Sequence, residues 1–294
     1  MEFIATISLM DFSHFLYFLL LIGAMASCWI SKEQVTAAIA LGAVGLGIWL
    51  THIQPLGVIN LTFMGVLIFA YYKFEGSLWI KQGFFLLIIL LGFLFYEHMV
   101  PGFQNFILAK NIHLSVDSKA YQFYLNADKV LVALMLIIAG HPLNKNFRDW
   151  KETLRVLPLP FLGVSLILLG SAFLAHYIRF DFKVPAILWW WIPANLLLVC
   201  ASEEIFFRGF IQNQLGQFLN TFSWGKWVSL GTASILFGLY HHAGGPIYMI
   251  LATLAGVGYG YVYLKSQRIE SSILLHFSVN LIHILAFSYP ALIR

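Results

Sequence analysis

The sequence predicts an all-α polytopic membrane protein, a transmembrane helical bundle of about eight to ten spans. Three observations predict this class. Hydrophobic residues make up 60% of the 294 residues and charged residues only 10%, whereas soluble globular chains are about 25% charged. The apolar residues fall in long runs separated by short polar segments. The two cysteines lie inside such runs, so they predict neither a disulfide framework nor a zinc cluster.

Ten apolar runs approach the length of a spanning helix, which needs about 20 largely apolar residues. In chain order these runs are residues 15–30, 35–50, 57–72, 83–96, 129–140, 161–177, 184–210, 228–242, 247–264 and 272–289. The fifth run is short and fits a re-entrant or interfacial segment as well as a span. The predicted number of spans is therefore given as a range of about eight to ten.

Two segments do not have the composition of spans. Residues 104–128 mix polar and aromatic side chains, which predicts an external loop with some amphipathic helix. Residues 144–155 are polar and basic. They separate an N-terminal transmembrane region, residues 1–143, whose role the sequence does not indicate, from residues 144–294, which contain all of the clustered polar chemistry.

Two adjacent glutamates, Glu203 and Glu204, lie in the seventh apolar run. They are the only carboxylates between Lys183 and Ser266. A charged side chain within a membrane-length apolar segment costs about 2.5–3.5 kcal/mol on insertion scales, so it is interpreted first as functional. Arg208 follows Glu204 by one helical turn, and this spacing places the two side chains on one helix face.

Two further pairs have the same spacing on later apolar helices. Phe237 and His241 close the eighth run, and His276 and Asn280 lie in the tenth. Polar groups in such helices normally face the bundle interior or a water-filled cavity. Packed together, the three helices are predicted to direct Glu203 and these polar side chains into one internal site.

These motifs, in this order on successive helices, resemble the type II CAAX prenyl endopeptidase family, which includes bacterial bacteriocin-processing and self-immunity members. The matching positions are Glu203-Glu204-x-x-x-Arg208, Phe237-x-x-x-His241 and His276-x-x-x-Asn280. The resemblance covers about residues 155–290. It implies that residues 144–294 form a catalytic transmembrane domain with a glutamate-type intramembrane protease activity.

The same residues suit peptide hydrolysis. Glu203 is the candidate general base for a water molecule, and His241 can share that water and then protonate the leaving amine. His276 and Asn280 offer N–H donors for the developing oxyanion, while Glu204, Arg208 and Phe237 have supporting roles. The resemblance implies the same division of roles. Neither the ion pair nor the choice of Glu203 over Glu204 follows from the residues alone.

Metal catalysis is the alternative mechanism. Glu203, His241 and His276 are the ligand types of a zinc hydrolase, and they would be the ligands of a zinc-dependent version of this protease. The chain contains no His-Glu-x-x-His motif, and Asn280 is a better oxyanion donor than zinc ligand. The expectation is therefore a protease that needs no cofactor, with zinc as the second possibility.

The expected partners are the lipid bilayer and a membrane-anchored, lipidated or transmembrane-tail peptide, with no nucleic acid. The expected location is a prokaryotic plasma membrane, which rests on resemblance to compact bacterial members. Two other functions stay open: a non-enzymatic bacteriocin-immunity or scaffold protein, and a transporter with a buried proton relay. The intact motifs argue against the first. The absence of repeats and of other intramembrane acidic residues argues against the second.

Overall fold

Helices form nearly all of the regular structure in the computed structural model, which describes residues 11–140 and 142–293. Eleven helices and one two-stranded hairpin lie within those ranges. The five N-terminal helices are α1 (Phe12–Ile30), α2 (Glu33–Trp49), α3 (Pro55–Lys73), α4 (Leu78–Tyr96) and α5 (Ala127–Gly140). The predicted fold class, a polytopic helical bundle, is confirmed.

The other six helices follow the polar segment near residue 144. They are α6 (Phe147–Val156), α7 (Pro158–Leu174), α8, α9 (Gly225–Tyr240), α10 (Pro246–Ser266) and α11 (Ile269–Ala286). Helix α8 begins with the segment Leu188–Pro193 and ends with the segment Asn213–Phe218. Each of the ten predicted spans coincides with a helix. The additional helix, α6, lies within the polar segment that separates the two predicted regions.

Length and composition single out five of the described helices as able to cross a membrane, namely α1, α3, α4, α10 and α11. The count rises to six if α6 and α7, which meet at a bend of 43°, form one span. Helix α2 is apolar but has only 17 residues, and α5 has 14. The described helices therefore make an integral membrane bundle in which several members are short.

Residues 104–128 differ from the prediction, because they form an antiparallel β-hairpin of β1 (Phe106–Ile112) and β2 (Tyr121–Leu125). The expectation of amphipathic helix in this segment was wrong. In β2, Phe123 and Leu125 are buried while Gln122 and Tyr124 are exposed, and this alternation is the period of a strand. The hairpin loop binds the end of the chain, where the Lys119 amide donates to the Ala291 carbonyl at 2.8 Å.

Helix α8 is the central helix of the bundle, and its backbone is irregular. It packs against α1, α5, α9, α10 and α11. Two π-helical segments, Ala194–Cys200 and Ile205–Gln212, flank the short α-helical stretch Ala201–Glu204 that bears both glutamates. Such wide turns occur frequently at functional sites. The regular α-helical hydrogen-bond pattern is therefore interrupted on both sides of the glutamates.

Small residues let α9 and α10 approach closely. A Cβ atom added at Gly238 of α9 would overlap the Thr253 hydroxyl and lie 2.8 Å from the Met249 carbonyl oxygen on α10. A Cβ at Gly256 would lie 3.0 Å from the Ser234 backbone. Close backbone approach is the usual way in which helices associate in lipid, and here it sets the position of the helix that ends at His241.

Gly238→Ala is therefore expected to destabilise the protein by about 1–3 kcal/mol, because the added methyl group forces α9 and α10 apart. Gly231→Ala is the matched control on the same helix, since a Cβ there meets nothing within 4 Å. Thermal unfolding of both variants in detergent measures the difference. Equal melting temperatures for the two variants would contradict this packing.

Candidate active site

The predicted residues converge from three helices. Helix α8 carries Glu203 and Glu204, His241 directly follows α9, and α11 carries His276 and Asn280. Glu203 is 3% exposed, Glu204 is fully buried and His276 is 5% exposed. Buried charged groups of this kind require partners, and the partners define the site.

Glu203 is paired with Lys129, a residue of the N-terminal region. The Lys129 ammonium Nζ donates to Glu203 Oε1 at 2.9 Å, and both side chains are about 95% buried. The Tyr240 hydroxyl contacts the same oxygen at 3.4 Å. Both donors use Oε1, and within the described residues Oε2 has no protein donor. Glu203 is therefore a charged, anchored carboxylate with one oxygen left for another ligand.

Glu204 is shared between two cationic or polar partners. Its Oε1 accepts from Arg208 Nη1 at 3.1 Å and lies 2.9 Å from His276 Nδ1. Arg208 is fully buried and donates through Nη2 to the Gly256 carbonyl at 3.2 Å. Its guanidinium also lies 4.4 Å from the centre of the Phe237 ring, a cation–π contact. Glu204 thus connects α8 to α11, and Arg208 connects α8 to α9 and α10.

The His241 ring is fixed by the backbone of the preceding turn. Nδ1 lies 2.7 Å from the Phe237 carbonyl oxygen, and a carbonyl can only accept, so Nδ1 carries the proton. In the neutral ring Nε2 is then free to accept a proton. The ring also packs edge-on against Tyr240, with centroids 4.8 Å apart, and Tyr240 contacts Glu203. Phe237 therefore positions both Arg208 and His241.

Asn280 belongs to a small polar cluster with α8. Its Nδ2 donates to Asn195 Oδ1 at 3.3 Å and lies 3.6 Å from Cys200 Sγ. The same Asn195 oxygen accepts from the Cys200 thiol at 3.3 Å. Both acceptors lie on α8, so these contacts hold the Asn280 amide against that helix, and its contact with the Cys200 sulfur is the weaker of the two.

A cavity of about 90 Å³ lies beside these residues. Its polar wall includes His241, His276, Asn280 and His283. Its apolar wall comes from α7 and α10, for example Leu168 and Ala252. Glu203 does not line this cavity, which differs from the expectation that Glu203 faces it together with His241. Glu203 lies behind the wall and reaches it through Tyr240, the neighbour of His241.

The described residues offer no preformed metal site. No group of three or more His, Cys, Asp or Glu residues within residues 11–140 and 142–293 is arranged to hold a metal ion. Each donor of the zinc alternative has one atom engaged by a protein group: Glu203 Oε1 by Lys129, His241 Nδ1 by the Phe237 carbonyl, and His276 Nδ1 by Glu204. Histidines that bind a metal through Nε2 make the same kind of contact through Nδ1, so these contacts are compatible with either mechanism.

The sequence did not identify Lys129, Tyr240 or Asn195 as members of the site. Lys129 begins the short fifth apolar run, where it was interpreted as a span boundary, yet it is only 4% exposed. The sequence feature that could have indicated Lys129 is the pair Asp128-Lys129, which directly precedes eleven residues without a charge. Two acidic residues that the sequence did not single out, Asp128 and Glu270, are also buried in the bundle, in the first turns of α5 and α11.

These two acidic residues are bound by neighbours and do not extend toward the cavity. Asp128 Oδ2 lies 2.7 Å from His98 Nδ1, and Glu270 Oε1 accepts from the Trp29 indole at 2.8 Å and from the Asn144 amide at 2.7 Å. They therefore tie elements of the bundle together.

The fold and the site define an integral membrane protein with a buried glutamate–histidine site beside a half-apolar cavity. Residues 185–282 match the family model described as Type II CAAX prenyl endopeptidase Rce1-like. This segment contains every motif residue from Glu203 to Asn280, so the predicted resemblance to the CAAX protease family is confirmed over these residues. Comparisons with curated proteins and with solved structures gave no match.

Proposed function

We propose that this protein is an intramembrane endopeptidase in which Glu203 and His241 activate water and His276 and Asn280 stabilise the oxyanion. The observation that carries the proposal is the cavity wall. It presents two histidines of the motif and Asn280 to the same space. Glu204 contacts His276 directly, and Glu203 contacts Tyr240, whose ring packs against His241. An activated water, a proton donor and oxyanion donors are what peptide hydrolysis requires.

Each proposed step uses a specific atom. Glu203 Oε2 and His241 Nε2 hold the water. Glu203 takes its proton as the hydroxide attacks the scissile carbonyl carbon, and then passes this proton to His241 Nε2. The Asn280 amide and His276 Nε2 then donate to the oxyanion. Because His276 Nδ1 faces Glu204, this role requires a proton on both ring nitrogens. Collapse of the tetrahedral intermediate breaks the C–N bond, and His241 returns the proton to the leaving amine.

We further propose that the reaction is independent of metal. A metal ion at Glu203 would have to bind beside the Lys129 ammonium, which is 2.9 Å from Oε1, and repulsion between the two cations opposes that.

The substrate class follows from the cavity and the family. Its apolar wall suits a membrane-anchored, lipidated or transmembrane-tail peptide, including a lipidated C-terminal tail or a leader peptide. We place the protein in a prokaryotic plasma membrane, as the resemblance to compact bacterial members suggests. A non-enzymatic immunity or scaffold protein is the alternative that the assay below separates.

The test is cleavage of farnesylated peptides and transmembrane-tail peptides in liposomes by the purified wild type and by Glu203→Ala. We expect the wild type to cleave at least one peptide, before and after thorough chelation, and Glu203→Ala to cleave none. Stoichiometric zinc whose removal stops cleavage would overturn the metal-free mechanism. Absence of cleavage by the wild type across both peptide classes would favour the non-enzymatic alternative.

A further inference from the structure

Lys129 occupies a position that costs energy in two ways. It lies in the first turn of α5, where a cation is opposed by the positive end of the helix dipole. It is also 4% exposed inside a bundle whose exterior is lipid, where an ionisable side chain is costly. The remainder of α5, from Val130 onward, is apolar. A lysine at such a position indicates a function that offsets its cost.

The contacts of Lys129 point to Glu203. Its Nζ donates to Glu203 Oε1 at 2.9 Å and to the Tyr240 hydroxyl at 3.4 Å. These three groups form a triangle, because Tyr240 also donates to Glu203 Oε1 at 3.4 Å. With Oε1 held by two donors, rotation of the carboxylate is restricted, and Oε2 keeps one direction.

No other cation of the site can take over this role. Arg208, one turn further along α8, is bound by Glu204, the Gly256 carbonyl and the Phe237 ring. His241 is held by the Phe237 carbonyl and His276 by Glu204. Each glutamate thus has its own cation, and the two cations come from different regions of the chain.

We propose that Lys129 is a positioning residue that orients and charge-neutralises Glu203, so that the N-terminal region completes the active site. This inference rests on the proposed function of Glu203. It gives residues 1–143 a direct role, because Lys129 lies outside the segment 185–282 that matches the protease family. Its side chain acts on the reaction only through Glu203, since it does not line the cavity.

The experiment compares steady-state kinetics of Lys129→Met and Lys129→Arg with the wild type on whichever farnesylated or transmembrane-tail peptide the wild type cleaves. Misplacement of a catalytic group by about 1 Å costs about 100-fold in rate. We therefore expect Lys129→Met to lower kcat about 100-fold with little change in KM. Lys129→Arg retains the charge and is expected to recover most of the lost kcat.

Lys145→Met is the matched control, because Lys145 also donates to a buried acceptor, the Cys28 carbonyl at 3.1 Å, but makes no contact with Glu203. It is expected to keep the wild-type kcat. Wild-type kcat in Lys129→Met while Glu203→Gln is inactive would overturn only the role of Lys129. Activity in Glu203→Gln would overturn the proposed function itself.

A further comparison applies if Lys129→Met folds poorly. The double variant Lys129→Met/Glu203→Gln removes both charges, so it is expected to yield more folded protein than Lys129→Met alone. Recovery in the double variant supports the pairing, and equal loss in both contradicts it.

Discussion

Replacing Glu203 with glutamine is expected to abolish peptide cleavage while the protein stays folded. A glutamine oxygen can still accept from Lys129 Nζ and the Tyr240 hydroxyl, which now contact Glu203 Oε1. It cannot take a proton from water at neutral pH. Loss of a general base costs about 100- to 10,000-fold in rate. The measurement is the rate of cleavage together with thermal unfolding of the same preparation.

Glu204→Gln is the matched control, because it makes the same replacement of a carboxylate by an amide at the adjacent residue. Glu204 was predicted from the sequence to be engaged by Arg208, and the structure shows this pair at 3.1 Å. It also shows the contact with His276 at 2.9 Å. We therefore expect Glu204→Gln to lower stability and to reduce cleavage partially. Inactive, stable Glu204→Gln beside active Glu203→Gln would mean that the two roles are reversed.

The sequence predicted the helices well because their signal is local. Each apolar run of near-membrane length became a helix, and the motif spacing correctly placed Glu204 and Arg208 on one face. Composition and periodicity suffice for such features, since they depend on residues a few positions apart. The family match over residues 185–282 has the same origin.

The sequence could not predict contacts between distant segments. Lys129 and Glu203 are 74 positions apart, and no pattern in either run indicates the other. The hairpin at 104–128 shows a related failure: its alternation in β2 covers only five residues, and its loop is held by the end of the chain. The π-helical segments of α8 pack against helices from both halves of the chain, and no pattern of residue spacing indicates them.

Glu203 lies behind the cavity wall, so the arrangement of the site differs from the predicted one. The helical pairs predicted a single cluster of polar groups facing one space. The structure instead has two layers: His241, His276 and Asn280 line the cavity, and behind them each glutamate is paired with one cation. Two anionic and two cationic groups together leave the inner layer without formal net charge, which reduces the cost of burying them. Water activation at Glu203 therefore depends on the inner layer being complete.

Arg208→Met is expected to produce the largest loss of stability. Arg208 and Glu204 are both fully buried, and removing one partner of a buried ion pair costs about 3–5 kcal/mol because the other charge stays uncompensated. Arg208 also donates to the Gly256 carbonyl, so its loss leaves that acceptor without this donor. Thermal unfolding in detergent, with yield of folded protein as a second measure, reports the loss.

Two comparisons separate a buried ion pair from simple loss of side-chain packing. In Arg208→Met/Glu204→Gln the isolated charge is gone, so most of the lost stability should return, and the two single effects should not add. Arg148→Met tests the same four-residue spacing at the surface, where Arg148 pairs with Glu152 at 3.2 Å and is 86% exposed. Exposed pairs contribute little, so its melting temperature should stay near that of the wild type. A double variant that is less stable than either single variant would show that Arg208 acts through packing and its contact with α10, and that Glu204 carries no buried charge for it to neutralise.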